Sequence, residues 1–159
     1  MNRRRILLPL LLAVSLVSGL SEARAATPSV VQDLKMAQDS QPFRAAADEF
    51  VARSMAGDVA ATQSMLSRSL VERTGDEAVK RALQTQIVPF FQRGREPGKS
   101  VTITRTTDAS GQQGFAFYMW MEYAEAPTAR PFTVYVVREQ GRLVVANIVP
   151  DRLVEGRHR

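Results

Sequence analysis

Residues 115–123 read Phe-Ala-Phe-Tyr-Met-Trp-Met-Glu-Tyr, and this stretch decides the fold. Its length and its aromatic content are typical of a β-strand. Side chains alternate between the two faces of such a strand, with Phe117, Met119 and Met121 on one and Tyr118, Trp120 and Glu122 on the other. Because both faces are almost entirely apolar, both have to be covered. Helices can cover one face. The other face can be covered by a strongly curved sheet, a subunit partner or a bound molecule.

Three further strands are predicted around this one. Polar and apolar residues alternate with a period of two over 101–106, and residues 132–138 and 143–149 are rich in Val. Turns containing Gly or Pro separate these segments, and residues 139–142 form a tight hairpin connection. The pattern predicts four meandering antiparallel strands.

The preceding half of the chain has helical periodicity. Pro42 suits the first position of a helix, and the apolar residues that follow recur at helical spacing. Gly57 ends this helix and Asp58 caps a short second one. Residues 67–73 read as a turn or loop, and a further helix runs over 76–91. The predicted fold class is therefore α+β, with three to four N-terminal helices packed on a curved four-stranded antiparallel sheet.

The first residues have the pattern of a secretory signal peptide. Three arginines at 3–5 precede an apolar run over 6–20, and small residues at Ala23 and Ala25 form a cleavage site. The run is shorter than the ~20 residues of a spanning helix. We predict that residues 1–25 are cleaved and that the mature protein is free in a bacterial periplasm.

Composition predicts a single domain without basic character. We expect the domain at 42–153, a loosely ordered segment at 26–41 before it and a flexible basic tail at 154–159 after it. Of the formal charge of +5, the leader carries most: the mature chain has 17 basic and 15 acidic residues. No dense basic face remains, so nucleic acid is not a predicted partner. The chain has no cysteine, so its stability has to come from its core.

The chain resembles the nuclear transport factor 2-like superfamily, which includes ketosteroid isomerases and many small secreted domains. The features that carry the resemblance are Phe50-Val51, the Ala56-Gly57-Asp58 turn, the helix at 76–91 and the strand at 115–123. They cover roughly residues 42–151. The resemblance implies a cone, in which the sheet wraps around the long helix and leaves an apolar pocket. Its members are enzymes, binding modules or assembly components, so the fold leaves the function open.

Few catalytic patterns are available. The single histidine is His158 in the predicted tail, and without cysteine there is no zinc ligand set and no thiol nucleophile, so we predict no metal and no cofactor. Isomerase-like chemistry needs a carboxylate base and hydrogen-bond donors in an apolar pocket. The available bases are Asp48 and Glu122, and the available donors are Tyr118, Tyr123 and Tyr135.

We therefore expect a periplasmic domain without evident catalytic machinery that binds a small apolar ligand or a protein partner. The residues expected to bind are Tyr118, Trp120, Glu122 and Tyr135. Packing is the more usual role of aromatic strand residues. Two alternatives stay open: an isomerase or lyase that uses a pocket carboxylate and a tyrosine, and a structural subunit of a cell-envelope assembly that forms a homodimer through its sheet.

Overall fold

A computed structural model describes residues 28–98, 101–124 and 129–150. The predicted signal peptide, the tail at 154–159 with His158, and residues 151–153 lie outside the described residues. The fold is α+β: helices come first and pack on a strongly curled antiparallel sheet, which confirms the predicted fold class. No helix in this described part is long and apolar enough to cross a membrane.

The helical half consists of four stretches. They are α1 (Pro28–Met55), α2 (Val59–Ser64), α3 (Arg68–Thr74) and a last stretch made of α4 (Asp76–Ala82), a π-helical segment (Leu83–Ile87) and α5 (Val88–Gln92). Gly57, with a φ of 77°, follows the end of α1, and Asp58 caps α2 by accepting a hydrogen bond from the Ala61 amide at 2.9 Å. Both boundaries are as the sequence predicts.

The first helix begins earlier than predicted. The expectation that Pro42 opens it is wrong, because Pro42 lies inside α1. Residues 28–41, which belong to the segment expected to be loosely ordered, are helical. A proline in a helix interior costs about 3 kcal/mol or more. Burial on both sides of it offsets this cost, since Met36 and Phe43 pack against the core and Phe50 is fully buried.

A helix, α3, also occupies the segment predicted as a turn or loop. Ser67 is its N-cap, and the Ser67 hydroxyl accepts a hydrogen bond from the Leu70 amide at 3.1 Å. The Glu139 carboxylate, from the last β-hairpin, accepts a second one from the Arg68 amide at 2.9 Å. This second partner is 71 residues away in sequence, so local periodicity gives no sign of it.

The last helical stretch, from α4 to α5, continues through Pro89 because one of its turns is a wider π-helical turn. In the π-helical segment the Val88 amide donates to the Leu83 carbonyl, five residues back. A π-helical turn contains one residue more than an α-helical turn, and here it precedes Pro89. Pro89 has no N–H, and in a regular α-helix its ring would crowd the carbonyl of Thr85. The helix therefore reaches Gln92 rather than ending at the proline.

The sheet contains the four predicted strands and a short additional one. They are β1 (Gly94–Pro97), β2 (Thr102–Thr107), β3 (Gln113–Tyr123), β4 (Arg130–Glu139) and β5 (Arg142–Pro150). All pairs are antiparallel: β1 and β2 share one edge of β3, β4 lies on its other edge, and β5 lies beyond β4. Register shifts in the β1–β3 and β4–β5 pairs increase the local twist. Residues 65–67 cover the free edge of β5 through hydrogen bonds to Val145.

The two faces of the sheet differ sharply. The inner face points to the helices, and its largest residues form the core with Phe50, Leu83 and Phe91: Phe115, Phe117, Met119, Met121, Phe132, Val134 and Val136. Tyr118, Trp120, Glu122, Thr133 and Tyr135 alternate with these residues, so they lie on the opposite face, called the outer face below. A second, small buried cluster of Val137, Val144 and Ala146 lies there as well.

Candidate functional site

A groove of about 770 Å³ opens where the middle of α1 meets one end of the sheet. Its lining comes from four elements: Asp39 and Phe43 of α1, residues 105–107 of β2, residues 113–115 of β3, and Arg138 of β4. Small-molecule sites in proteins have volumes of roughly 300–1,000 Å³. The groove is therefore of ligand size and open to solvent on one side.

Two arginines and two phenylalanines form a continuous stack in this groove. The rings of Phe43 and Phe115 meet edge-on, with centroids 5.0 Å apart. The Arg105 guanidinium lies 5.3 Å from the Phe115 centroid, and the Arg138 guanidinium lies 5.5 Å from the Phe43 centroid. Such cation–π contacts favour a guanidinium that lies over the ring, and they leave its edge available for hydrogen bonds.

The two arginines differ in their other partners. Arg105 forms an ion pair with Asp39 at 3.2 Å, and Asp39 also contacts Lys35 at 3.4 Å. Arg138 donates a hydrogen bond to the Gly141 carbonyl at 3.4 Å. Among the residues that the structure describes, no carboxylate pairs with Arg138. The groove thus has more positive than negative charge.

The space between the helices and the inner face is filled by aromatic and sulfur-containing side chains. Phe50 and Phe132 each meet the ring of Phe91 edge-on, at centroid distances of 6.3 and 5.0 Å, and all three side chains are fully buried. Met119 and Met121 fill the same layer. An apolar ligand within this layer would have to displace core side chains, whereas the groove at the sheet end is already open.

The four residues predicted to bind lie on the outer face, away from the groove. Tyr118 and Trp120 are in edge-on contact, with ring centroids 5.5 Å apart, and Trp120 keeps 37% of its surface exposed. Tyr135 lies on β4 opposite Ala116 of β3. Glu122 is exposed at the end of β3. The structure thus gathers three aromatic side chains on one face and leaves Glu122 at its margin.

The carboxylates proposed as bases stand on open surfaces. Asp48 is exposed on α1 and pairs with Arg44 at 2.7 Å, so it has a surface partner rather than a pocket. Glu122 lies opposite Glu96 in the β1–β3 pair, and both are exposed. Neither carboxylate is enclosed with a tyrosine among the described residues.

Tyr123, the third possible donor, has a packing role. Its hydroxyl donates to the Phe90 carbonyl at 2.9 Å, and its ring contacts Phe90 and lies 5.1 Å from the Arg130 guanidinium. Burial raises the pKa of Tyr123 to about 12, although the charges of Arg130 and Arg93 act in the other direction. The hydroxyl therefore holds α5 against β3 and stays protonated at neutral pH.

Asp108 organises the β2–β3 turn beside the groove. Burial alone would raise the pKa of Asp108, but hydrogen bonds from Ser110, the Gln112 amide and Ser69 outweigh it, and the pKa is lowered. The carboxylate therefore fixes the loop that joins two groove-lining strands.

The groove residues were not predicted from the sequence because they come from four separate elements. The period-two pattern places Arg105 on the same face of β2 as Ile103, and Phe43 belongs to the apolar stripe of α1. Neither pattern shows that Arg138, on β4, reaches Phe43. Only the strand register and the packing of α1 bring them together.

No protein-family model, no curated protein and no solved structure matches the chain. No group of three or more His, Cys, Asp or Glu residues in the described part is arranged to hold a metal ion.

Proposed function

We propose that this protein is an exported periplasmic binding domain of the nuclear transport factor 2-like type, and that it binds a partner through the outer face of its sheet. The fold supports the type, since helices pack on one face of a strongly curled antiparallel sheet. The leader pattern supports export. The observation that carries the proposal is the edge-on pair of Tyr118 and Trp120 on the face opposite the helices, in which Trp120 is exposed and Tyr118 is half-buried.

The chemistry of this face favours a protein surface as the partner. Trp and Tyr are enriched at protein interfaces because they bury a large area and keep a polar group at their tip. Around Tyr118, the paired positions on β2 and β4 are Thr102 and Thr133, and Tyr135 lies beside Asn147. The centre of the face is therefore uncharged and partly apolar.

A second copy of the chain is the partner that we propose. In a twofold dimer each surface meets itself, so a charged patch would oppose its own charge. The uncharged centre of the outer face avoids this, while Glu96 and Glu122 lie at its margin. We therefore propose a homodimer whose interface includes Tyr118 and Trp120.

Native mass spectrometry of mature protein, purified gently from its own periplasm, tests this proposal directly. We expect the mass of a dimer. A monomer at all concentrations contradicts self-association, and a stoichiometric complex with another protein moves the proposal to a different partner.

Variants then locate the interface. Trp120→Ala should weaken the dimer at least about tenfold, as expected for an interface hot spot, without changing the far-UV circular dichroism. The matched control is Leu34→Ala, which shortens another exposed apolar side chain, 65% exposed on α1. Thr133→Arg should disrupt the dimer further by placing like charges opposite each other. Equal dimer affinity in wild type and Trp120→Ala would refute the assignment of the outer face.

A further inference from the structure

We propose that the groove at the end of the sheet is a second, separate site that binds an organic anion: a carboxylate on a small apolar body. Neither Tyr118 nor Trp120, the pair on which the proposed dimer rests, lines the groove, so this proposal does not depend on dimerisation. Each part of the ligand corresponds to one feature of the groove.

The carboxylate of the ligand binds to Arg138. Its guanidinium has five N–H donors, of which the Gly141 carbonyl engages one. No carboxylate from the described ranges pairs with it, although it lies in a groove that also contains Arg105. A guanidinium edge of this kind fits both oxygens of a carboxylate.

The apolar body of the ligand packs against the two phenylalanines. Phe43 is only partly buried, and its ring contacts Phe115 within the groove wall. A ligand held by Arg138 can place its hydrocarbon part along Phe43, which the guanidinium already covers on one face. Burial of apolar ligand surface there adds affinity that a free inorganic anion would lack.

Arg105 adds a second positive charge within reach of the same ligand. It lies opposite Phe115 on β2, while continuation of the β3–β4 register places Arg138 opposite Gln113. With about 4.8 Å between strands and about 3.3 Å per residue, their Cα atoms are roughly 12 Å apart. Asp39 holds Arg105 in place and neutralises part of its charge, so Arg138 is the anchor and Arg105 the supporting charge.

A pair of matched probes tests the proposal on the mature protein. Octanoate and 1-octanol have the same chain and differ in charge, and ¹⁵N NMR titration gives both the affinity and the location of binding. We expect octanoate to shift the amides of Thr106, Thr107 and Gln113, with a Kd at least about tenfold below that of 1-octanol. This preference reports anion recognition separately from apolar binding.

Arginine variants identify the anchor. Arg138→Gln should raise the Kd for octanoate about tenfold and leave the Kd for 1-octanol unchanged within about twofold. Arg81→Gln, which removes an exposed arginine on α4 away from the groove, is the control and should change neither. Arg138→Lys keeps the charge without the planar fork and should give an intermediate loss.

Several results would overturn the proposal. Equal affinity for octanoate and 1-octanol would show that the groove does not recognise the carboxylate. Equal effects of Arg138→Gln and Arg81→Gln would remove Arg138 as the anchor, and amide shifts confined to the outer face would place binding elsewhere. Absence of any shift at about 10 mM octanoate, a concentration that detects even millimolar affinity, would refute the site.

Discussion

Replacement of Gly114 by alanine should destabilise the fold strongly, although alanine is normally the better strand residue. A Cβ built at this position would overlap the carbonyl oxygen of Val136 and lie 2.8 Å from both the Val136 carbonyl carbon and the Val137 Cα. All three atoms belong to the backbone of β4, so no side-chain rotation can relieve the overlap. The two strands approach each other this closely where Gly114 pairs with Val137.

The expected loss can be worked out from opposing terms. Without a clash, Gly→Ala in a strand would stabilise the protein by about 0.5–1 kcal/mol. Overpacking a close contact costs about 1–3 kcal/mol, and occasionally more. Moving β4 away also weakens its hydrogen bonds to β3, each contributing about 1 kcal/mol. We therefore expect a net loss of about 3 kcal/mol in the free energy of unfolding.

Urea denaturation followed by circular dichroism measures this loss. With an m-value of about 2 kcal/mol per molar, the midpoint of Gly114→Ala should fall by about 1.5 M. Gly98→Ala is the matched control: its Cβ would lie 3.4 Å from the Trp120 carbonyl oxygen, an ordinary contact. Its midpoint should stay unchanged or rise slightly. If Gly114→Ala unfolds at the wild-type midpoint, the argument that the close approach of β4 requires glycine at position 114 is wrong.

Three further predictions concern single side chains. The pKa of Tyr123 in the folded protein is raised to about 12, so its stabilising contribution is complete below about pH 10 and is lost as the pH rises towards 12. Between pH 9 and pH 11.5, the melting temperature of Tyr123→Phe should therefore fall less than that of the wild type. The pKa of Asp108 is lowered, so its contribution is present above about pH 4 and is lost as the pH falls further; the difference in melting temperature between wild type and Asp108→Asn should be constant from pH 5 to pH 8 and shrink below pH 4. Ser67→Ala should cost about 1 kcal/mol by removing the cap of α3, measured by urea denaturation, whereas Ser64→Ala, at the exposed end of α2, should cost less than about half of that.

Local signals located most of the elements. The four strands follow from alternation and turn residues, and the boundary between α1 and α2 follows from Gly57 and Asp58. Local reasoning failed where a distant partner decided the outcome: α3 gains a cap from Glu139, and α1 continues through Pro42 because residues on both sides of the proline are buried.

The sequence by itself determined the α+β class, the order of helices before strands and the two sets of side chains on β3. Those sets follow from a period of two, which is a local property of the backbone. Which set faces the helices was decided only by the tertiary structure. Both sets are apolar enough to be buried, so the choice depends on how they fit the residues of α1 and α5. The groove depends on tertiary structure for the same reason, because Phe43, Arg105 and Arg138 become neighbours only through strand register and helix packing.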